Sequence, residues 1–214
     1  MRVTVIGASG RIGRRIVAEA VSRGHEVVAA VRDPAVSNVD FNGRVVGADV
    51  FDPAAVAEAV AGCDVVVSAV GHAASLDDRG YYVRAARSLV EALRPLGDGG
   101  PRLLVVGGFG SLERAPGIQF ADSDGLPEHA APEIVGQRDA LTYLRGVADV
   151  RWTYFSPPPG GIAPGERTGS YRAVRDRVDG DPRTNTVSME DFAVAVVDEA
   201  ERAEHVFSCV GVTN

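Results

Sequence analysis

The chain has 214 residues, 45% of them hydrophobic and 24% charged, with a formal net charge of −7. This length and composition suit one globular α/β core, and an acidic charge without a basic block argues against nucleic acid or an anionic membrane surface as the main partner. No apolar stretch approaches the length of a membrane-spanning helix, and the chain begins as a strand instead of a signal peptide, so we expect a cytoplasmic protein.

Short apolar runs rich in valine recur in the first half of the chain and predict parallel strands covered on both faces. These runs are Val3–Ile6, Val27–Val31, Val45–Ala48, Val65–Val70 and Leu103–Val106. Between them lie helical patterns, at 12–21, from the N-cap Asp52 to Gly62, and at 83–93. The alternation predicts a doubly wound, mostly parallel sheet, the Rossmann fold, in a single domain that spans residues 1–214.

The second half of the chain is more irregular. Glycine and proline accumulate at 107–132 and 157–165, between which we expect a helix near 133–146 and a strand at Arg151–Phe155. Ser188 is predicted to cap a helix that runs to about Ala203, and Val206–Val210 forms a last strand. Elaborated C-terminal loops of this kind usually build a substrate pocket, so we place the pocket mainly in 107–185 and a nucleotide site mainly in 1–110.

A glycine-rich turn follows directly on the first strand, with the sequence Gly7-Ala8-Ser9-Gly10-Arg11-Ile12-Gly13. A strand that opens through such a turn into a helix can hold the pyrophosphate of a dinucleotide. Gly7 permits the turn, Gly10 allows close approach of the phosphates, and Gly13 allows close helix–strand packing. We therefore predict a dinucleotide site in which Ser9, Arg11 and Ile12 also take part.

Arg32 stands at the end of the second strand, where this fold places the adenosine ribose. Because an arginine there can pair with a 2′-phosphate, we expect NADP(H) to be preferred over NAD(H). Arg11 would be a second contact for that phosphate. The alternative is that both side chains are simply solvated.

Other strand ends supply further predicted cofactor contacts. Asp49 and Val50 are expected beside the adenine, and Ala69, Val70 and Gly71 beneath the ribose and pyrophosphate. Gly107 and Gly108 allow the backbone to approach the nicotinamide ring.

Two residues are candidates for catalysis, and each has a structural alternative. Ser111 either hydrogen-bonds a substrate carbonyl or flavin edge, or caps a turn. His72 is either an acid close to neutral pH or a polar surface residue. All 22 basic residues are arginine, so a Tyr-x-x-x-Lys pair for protonating a carbonyl cannot exist here. Cys63 and Cys209 lack metal-ligand spacing, and we expect no metal site.

Several motifs in their order along the chain give a specific resemblance. They are Gly7-Ala8-Ser9-Gly10, Val106–Leu112 (VGGFGSL), Arg151–Pro157 (RWTYFSP), Gly165–Arg172 (GERTGSYR), Ser188–Ala195 (SMEDFAVA) and Asp198-Glu199. The sequence resembles the bacterial NAD(P)H-binding group of atypical short-chain dehydrogenases, often called NADH-flavin reductases. It is more distantly similar to biliverdin reductase B and NmrA-like proteins. Ser170 stands where relatives often carry lysine.

The resemblance implies a Rossmann fold and a nicotinamide cofactor, with Ser156 and Pro157 added to the cofactor contacts. It also implies an NADPH-dependent reductase of a flavin, quinone or related conjugated carbonyl acceptor, with flavin as a substrate and not a bound cofactor. The alternatives are a non-catalytic NADP(H)-binding redox sensor, or a pathway-specific reductase, epimerase or cyclase. We expect a small-molecule substrate and a monomer or homodimer.

Overall fold

A central sheet of eight strands organises the residues that the computed structural model describes, namely 1–35, 37, 43–71, 78–181 and 184–214. In sheet order the strands are β3 (Arg44–Gly47), β2 (Glu26–Val31), β1 (Arg2–Ile6), β4 (Val65–Ser68), β5 (Arg102–Val106), β8 (Trp152–Ser156), β12 (Ser208–Thr213) and β10 (Arg172–Arg175). Neighbours pair in parallel except at the edge, where β10 is antiparallel to β12. The predicted doubly wound, mostly parallel sheet is confirmed.

Helices cover both faces of the sheet and create two hydrophobic cores. They are α1 (Gly13–Ser22), α2 (Pro53–Ala59), α3 (Tyr81–Leu93), α4 (Ala131–Arg145) and α5 (Met189–Arg202). On one face α1 packs against α5, while α3 packs between α2 and α4 on the other. Within the described ranges, no helix combines the length and apolar character needed to cross a bilayer.

Side chains cap two of the helix starts that the sequence predicts. Asp52 accepts hydrogen bonds from the amides of Ala54 and Ala55. Pro53, which follows Asp52 directly, occupies the first turn of α2. Ser188 Oγ accepts one from the Asp191 amide at 2.9 Å and begins α5. Both satisfy donors that a helix start leaves unpaired.

The C-terminal strand differs from its prediction. It was expected at Val206–Val210, whereas β12 begins at Ser208 and continues to Thr213. The chain must first turn back from α5, and it does so through the left-handed conformations of Ala203 (φ 57°) and Phe207 (φ 58°). The apolar pattern alone does not report such a turn.

Short strands in the second half of the chain were not predicted. They are β10 and two small pairs, the hairpin of β6 (Glu113–Ala115) with β7 (Ile118–Gln119) and the parallel pair of β9 (Ile162–Ala163) with β11 (Val187–Ser188). These strands have two to four residues and are mostly only half-buried, so they lack the apolar run that identifies a buried strand.

A buried carboxylate connects one of the irregular loops to the helical layer. Glu19 of α1 is only 5% exposed, and its two oxygens accept hydrogen bonds from Arg167 at 2.7 and 2.8 Å. Arg23 donates a further bond at 2.8 Å. The hydrogen bond from Arg167 has the largest effect on Glu19, and burial alone would raise its pKa. Together with the bond from Arg23, the pairing holds the pKa of Glu19 below its ordinary value. The loop between β9 and β10 is thereby fastened to α1.

We predict that Glu19→Gln lowers the free energy of unfolding at neutral pH by roughly 1–3 kcal/mol, because Arg167 loses the carboxylate that it pairs with, while Arg23 keeps Asp198 and Glu201. A carboxylate whose pKa is lowered on folding stabilises the protein above its unfolded pKa, and this contribution disappears as the pH falls through the folded value. The difference between the two proteins should therefore shrink below about pH 4.5, the ordinary value for this group. Urea titrations at several pH values measure it.

Glu26→Gln is the matched control, since Glu26 pairs with Arg2 at the surface and its side chain is 64% exposed. We expect it to change stability little at any pH. A stability difference for Glu19→Gln that is constant from acid to neutral pH would contradict the assigned role of the carboxylate.

Candidate functional site

The candidate site lies at the carboxyl end of the sheet, between β1 and β4. Here the strand order reverses, because β1 has β2 on one side and β4 on the other. The two strands end together, and the amide of Ala69 donates to the carbonyl of Ile6 at 2.8 Å. In doubly wound sheets such a reversal opens the crevice in which ligands bind.

The glycine-rich turn occupies this crevice in a conformation that side chains would prevent. Gly7 has a φ of 81°, and a Cβ on it would lie 2.8 Å from the Ala69 carbonyl oxygen. A Cβ on Gly13 would lie 2.2 Å from the carbonyl oxygen of Gly7. The Gly10 amide closes the turn by donating to that same oxygen at 3.0 Å. The predicted reasons for Gly7 and Gly13 are therefore visible in the geometry.

The first turn of α1 points into the crevice. The helix starts at Gly13, and no side chain of the described residues caps it. Its amide groups and the positive end of its dipole suit an anion such as a pyrophosphate. The turn therefore fits the nicotinamide dinucleotide that the sequence implies.

Two cavities meet at the turn, and we call them the adenosine cavity and the reaction cavity. The adenosine cavity is lined by Ile6, Gly7, Ser9, Gly10, Ala30, Val31, Arg32, Ala48, Val50, Ala69, Val70, Gly71 and Tyr81. The reaction cavity is lined by Gly10, Arg11, Ile12, Ala69, Val70, Gly71, Tyr82, Val106, Gly107, Glu133, Gln137, Ile162 and Met189. Because they share Gly10 and 69–71, they form one continuous groove across the end of the sheet.

The adenosine cavity presents one exposed arginine. Arg32 follows β2 directly, as the sequence predicts, and lies close to Tyr81. Burial raises the pKa of Tyr81, and the nearby Arg32 cation opposes that shift. The neighbouring Asp33 turns its carboxylate back to its own loop, where it accepts from the Ala35 amide at 2.9 Å. The Asp33 carboxylate therefore stabilises the turn of its own loop.

The reaction cavity has a volume of about 450 Å³ and combines an apolar wall with polar groups. Ile162 and Met189 contribute apolar surface, while Glu133 and Gln137 face it from the start of α4. Tyr82 Oη donates to Glu133 Oε1 at 2.8 Å. This arrangement can accommodate an organic ring and offers hydrogen-bonding groups at its edge.

Most of the predicted cofactor residues line this groove, and five are not among its lining residues. Arg11 lines the reaction cavity, whereas Arg32 lines the adenosine cavity, so the two are not brought to the same cavity as a pair for one phosphate. The predicted residues outside both sets of lining residues are Gly13, Asp49, Gly108, Ser156 and Pro157.

Three of these five residues make contacts of other kinds, and their contact with a cofactor stays a prediction. Ser156 is fully buried, with its hydroxyl 3.6 Å from the sulfur of Cys209. Asp49 is exposed and accepts from the Phe51 amide at 3.0 Å. A Cβ on Gly108 would overlap the side chain of Gln137, so this glycine makes room for that amide.

The two candidate catalytic residues are placed differently. Ser111 is fully buried in the 3₁₀ turn at 109–111 and is not among the residues that line either cavity. Its backbone carbonyl accepts from Gln119 at 2.9 Å. His72 lies outside the described residues. Contact of either residue with a substrate stays a prediction.

Sequence reasoning missed Tyr81, Tyr82, Glu133 and Gln137. The two tyrosines begin α3, and the two polar residues lie four apart near the start of α4, on one helical face. The spacing of Glu133 and Gln137 was the available signal. It could not be assigned to a site because nothing in the sequence places α4 beside the glycine-rich turn.

Known proteins have the same architecture and similar sequences. The pattern of the NAD(P)H-binding family matches residues 7–203. Uncharacterized protein YwnB of Bacillus subtilis is 36% identical over 209 residues, which cover 96% of this chain and 94% of YwnB.

Two solved structures are also similar over their full lengths. A Burkholderia pseudomallei structure, provisionally named an exported protein, has a TM-score of 0.87 at 40% identity and covers 100% of both chains. A Streptococcus pneumoniae structure, provisionally named an NADH-flavin reductase, has a TM-score of 0.85 at 30% identity. It covers 100% of this chain and 99% of the other.

We predict that Gly13→Ala lowers stability by roughly 1–3 kcal/mol, because the new methyl group overlaps backbone that cannot move independently. It should also weaken dinucleotide binding by displacing the turn. Thermal unfolding and calorimetric titration measure the two effects. Gly99→Ala is the control, since a Cβ on Gly99 meets no atom within 4 Å. Unchanged dinucleotide affinity in Gly13→Ala would refute the assignment of this turn.

Proposed function

The chain belongs to the NAD(P)H-binding family, and from that membership we propose that it is an NADPH-dependent reductase of a flavin, a quinone or a related conjugated carbonyl acceptor. The observation that carries the proposal is the continuous groove. One end, with Arg32 and Tyr81, suits an adenosine carrying a phosphate, and the other has the size and polarity for an organic acceptor.

Preference for NADPH is supported by the environment of Arg32. Its guanidinium is exposed at the end of β2, where the fold brings the ribose, and the adjacent Asp33 carboxylate accepts from its own loop. A guanidinium can bind a phosphate through two parallel hydrogen bonds. In this proposal the Asp33 carboxylate, held by its own loop, does not compete with a 2′-phosphate for Arg32.

Bound NADPH supplies a hydride to the acceptor. The protein's own contribution is to hold the two reactants in contact: Ile162 and Met189 pack against an apolar ring, and Gly107 lines the cavity at the end of β5. A Cβ on Gly107 would overlap the Tyr154 ring, so this glycine makes room for the tyrosine behind it. A flavin then needs no proton from the protein, because water can protonate its reduced ring. The absence of lysine from the sequence is compatible with such a reaction.

The activity is tested by following NADPH consumption with FMN, riboflavin and quinones as acceptors. We expect acceptor-dependent oxidation, with a larger kcat/KM for NADPH than for NADH. The Streptococcus pneumoniae relative provisionally named an NADH-flavin reductase makes flavins the first acceptors to try. Tight NADPH binding with no oxidation across the panel would refute the proposal and favour a redox sensor.

We predict that Arg32→Ala weakens NADPH binding by about ten- to a hundredfold, corresponding to a charge-assisted contact of roughly 1.5–3 kcal/mol. NADH binding should stay nearly constant, and added salt should reduce the difference, because the site is exposed. Arg32→Lys should restore only part of the affinity, since an ammonium lacks the planar fork. Calorimetric titration with both cofactors measures these effects.

Arg114→Ala serves as the control, because Arg114 is an exposed arginine in the β6–β7 hairpin and lines neither cavity. It should leave both affinities unchanged. Equal weakening of NADH and NADPH by Arg32→Ala would show that the residue supports the loop and does not read the phosphate.

A further inference from the structure

A tyrosine and a carboxylate meet at the reaction cavity from two different helices. Tyr82 comes from α3 and Glu133 from the first turn of α4, and their side chains are joined by the 2.8 Å hydrogen bond. Tyr82 is 5% exposed, and both residues line the cavity together with Gly107. The pair therefore lies at the end of the groove where the acceptor is expected.

A glycine in α4 makes the position of this pair possible, and Gly71 marks where the tyrosine hydroxyl lies. A Cβ on Gly136 would lie 2.6 Å from the Arg79 carbonyl oxygen and 3.4 Å from the Tyr82 ring, so glycine allows α4 to approach α3. A Cβ on Gly71 would lie 3.6 Å from Tyr82 Oη. The hydroxyl therefore lies beside the turn after β4, which the cofactor is expected to cross.

Reduction of a carbonyl group requires a proton as well as a hydride. The sequence contains no lysine to pair with a tyrosine, and Ser111 is buried outside the lining of the cavity. A tyrosine hydrogen-bonded to a carboxylate supplies another route. Glu133 is half-exposed, so it can exchange protons with water and pass them to the buried tyrosine.

We infer that Tyr82 is the proton donor for carbonyl acceptors and that Glu133 carries protons to it from solvent. This inference rests on the proposed reductase function and extends it to the reduction of conjugated ketones. The hydride of NADPH forms the new C–H bond, leaving NADP⁺. The carbonyl oxygen takes the Tyr82 proton, and a proton from water, passed through the Glu133 carboxyl group, restores the Tyr82 hydroxyl. The net reaction consumes NADPH, one proton and the ketone, and yields the alcohol.

The test compares two acceptor classes in the same variants. Tyr82→Phe keeps the ring but removes the proton, and Glu133→Gln keeps a hydrogen-bonding group but cannot carry the proton. With a panel of conjugated ketones that includes diacetyl, we expect kcat to fall about 100-fold or more in Tyr82→Phe. In Glu133→Gln we expect a fall of at least about tenfold. With FMN, which needs only the hydride from the site, the fall in kcat should be at least about fivefold smaller than with the ketones in each variant, and changes in contact with the ring should appear in KM.

The matched controls are Tyr143→Phe and Glu128→Gln. Tyr143 lies on α4 with the Arg87 guanidinium over its ring, and Glu128 lies in an exposed turn. Neither residue lines the reaction cavity, and neither change should affect either acceptor. NADPH affinity, measured by calorimetry, should be the same in both control variants as in the unaltered protein.

The possible failures are distinguishable. Oxidation of NADPH by FMN but by none of the ketones would overturn the inference and leave the proposed function standing. A parallel loss with both acceptor classes in Tyr82→Phe would also overturn it, since that result indicates a structural role. No oxidation with any acceptor by the unaltered protein would overturn the proposed function and the inference together.

Discussion

The contact between the glycine-rich turn and the neighbouring backbone is the constraint on which the rest of the site depends. Gly13 lies so close to the carbonyl of Gly7 that a single methyl group would overlap it, and Gly7 in turn lies against the carbonyl of Ala69. These contacts set the start of α1 over the ends of β1 and β4. The helix amides, the adenosine cavity and the reaction cavity all take their positions from that placement.

A second close contact, between α4 and the start of α3, positions the residues at the acceptor end of the groove. Gly136 lets α4 lie against the segment that begins α3, and this contact places Glu133 and Gln137 over the end of β5. Gln137 then fills the space that the missing side chain of Gly108 leaves open. Small residues thus position polar ones, because the distance between two elements is limited by the side chains at their contact.

Ion pairs fasten part of the irregular second half of the chain to the helical layer. Arg167 reaches the buried Glu19 on α1, and Arg15 of the same helix pairs with Glu190 at 2.6 Å. Glu190 also accepts from the Gly165 amide at 2.8 Å. These contacts fasten the segment after β9 to the two helices beneath it, next to Ile162 in the wall of the reaction cavity. The segment that follows Ile162 is therefore held in place by charged residues.

The sequence alone predicted the parallel sheet and most residues of the adenosine half of the groove, but not Tyr81. Buried parallel strands have continuous apolar runs, and the turn from Gly7 to Gly13 consists of neighbouring residues. Both features can therefore be recognised from short stretches of sequence. Arg32 was placed for the same reason, since it directly follows a strand. The caps at Asp52 and Ser188 also act within a few residues.

The tertiary structure decided which residues complete the reaction cavity. Tyr82 and Glu133 are 51 residues apart and meet only because α3 and α4 pack side by side, while Ser111, close to the site in sequence, is turned into the core. The last strand shifted to Ser208 because the chain first had to reverse through Phe207. Local patterns determine which elements form, but contacts between distant elements depend on how those elements pack, which no local pattern specifies.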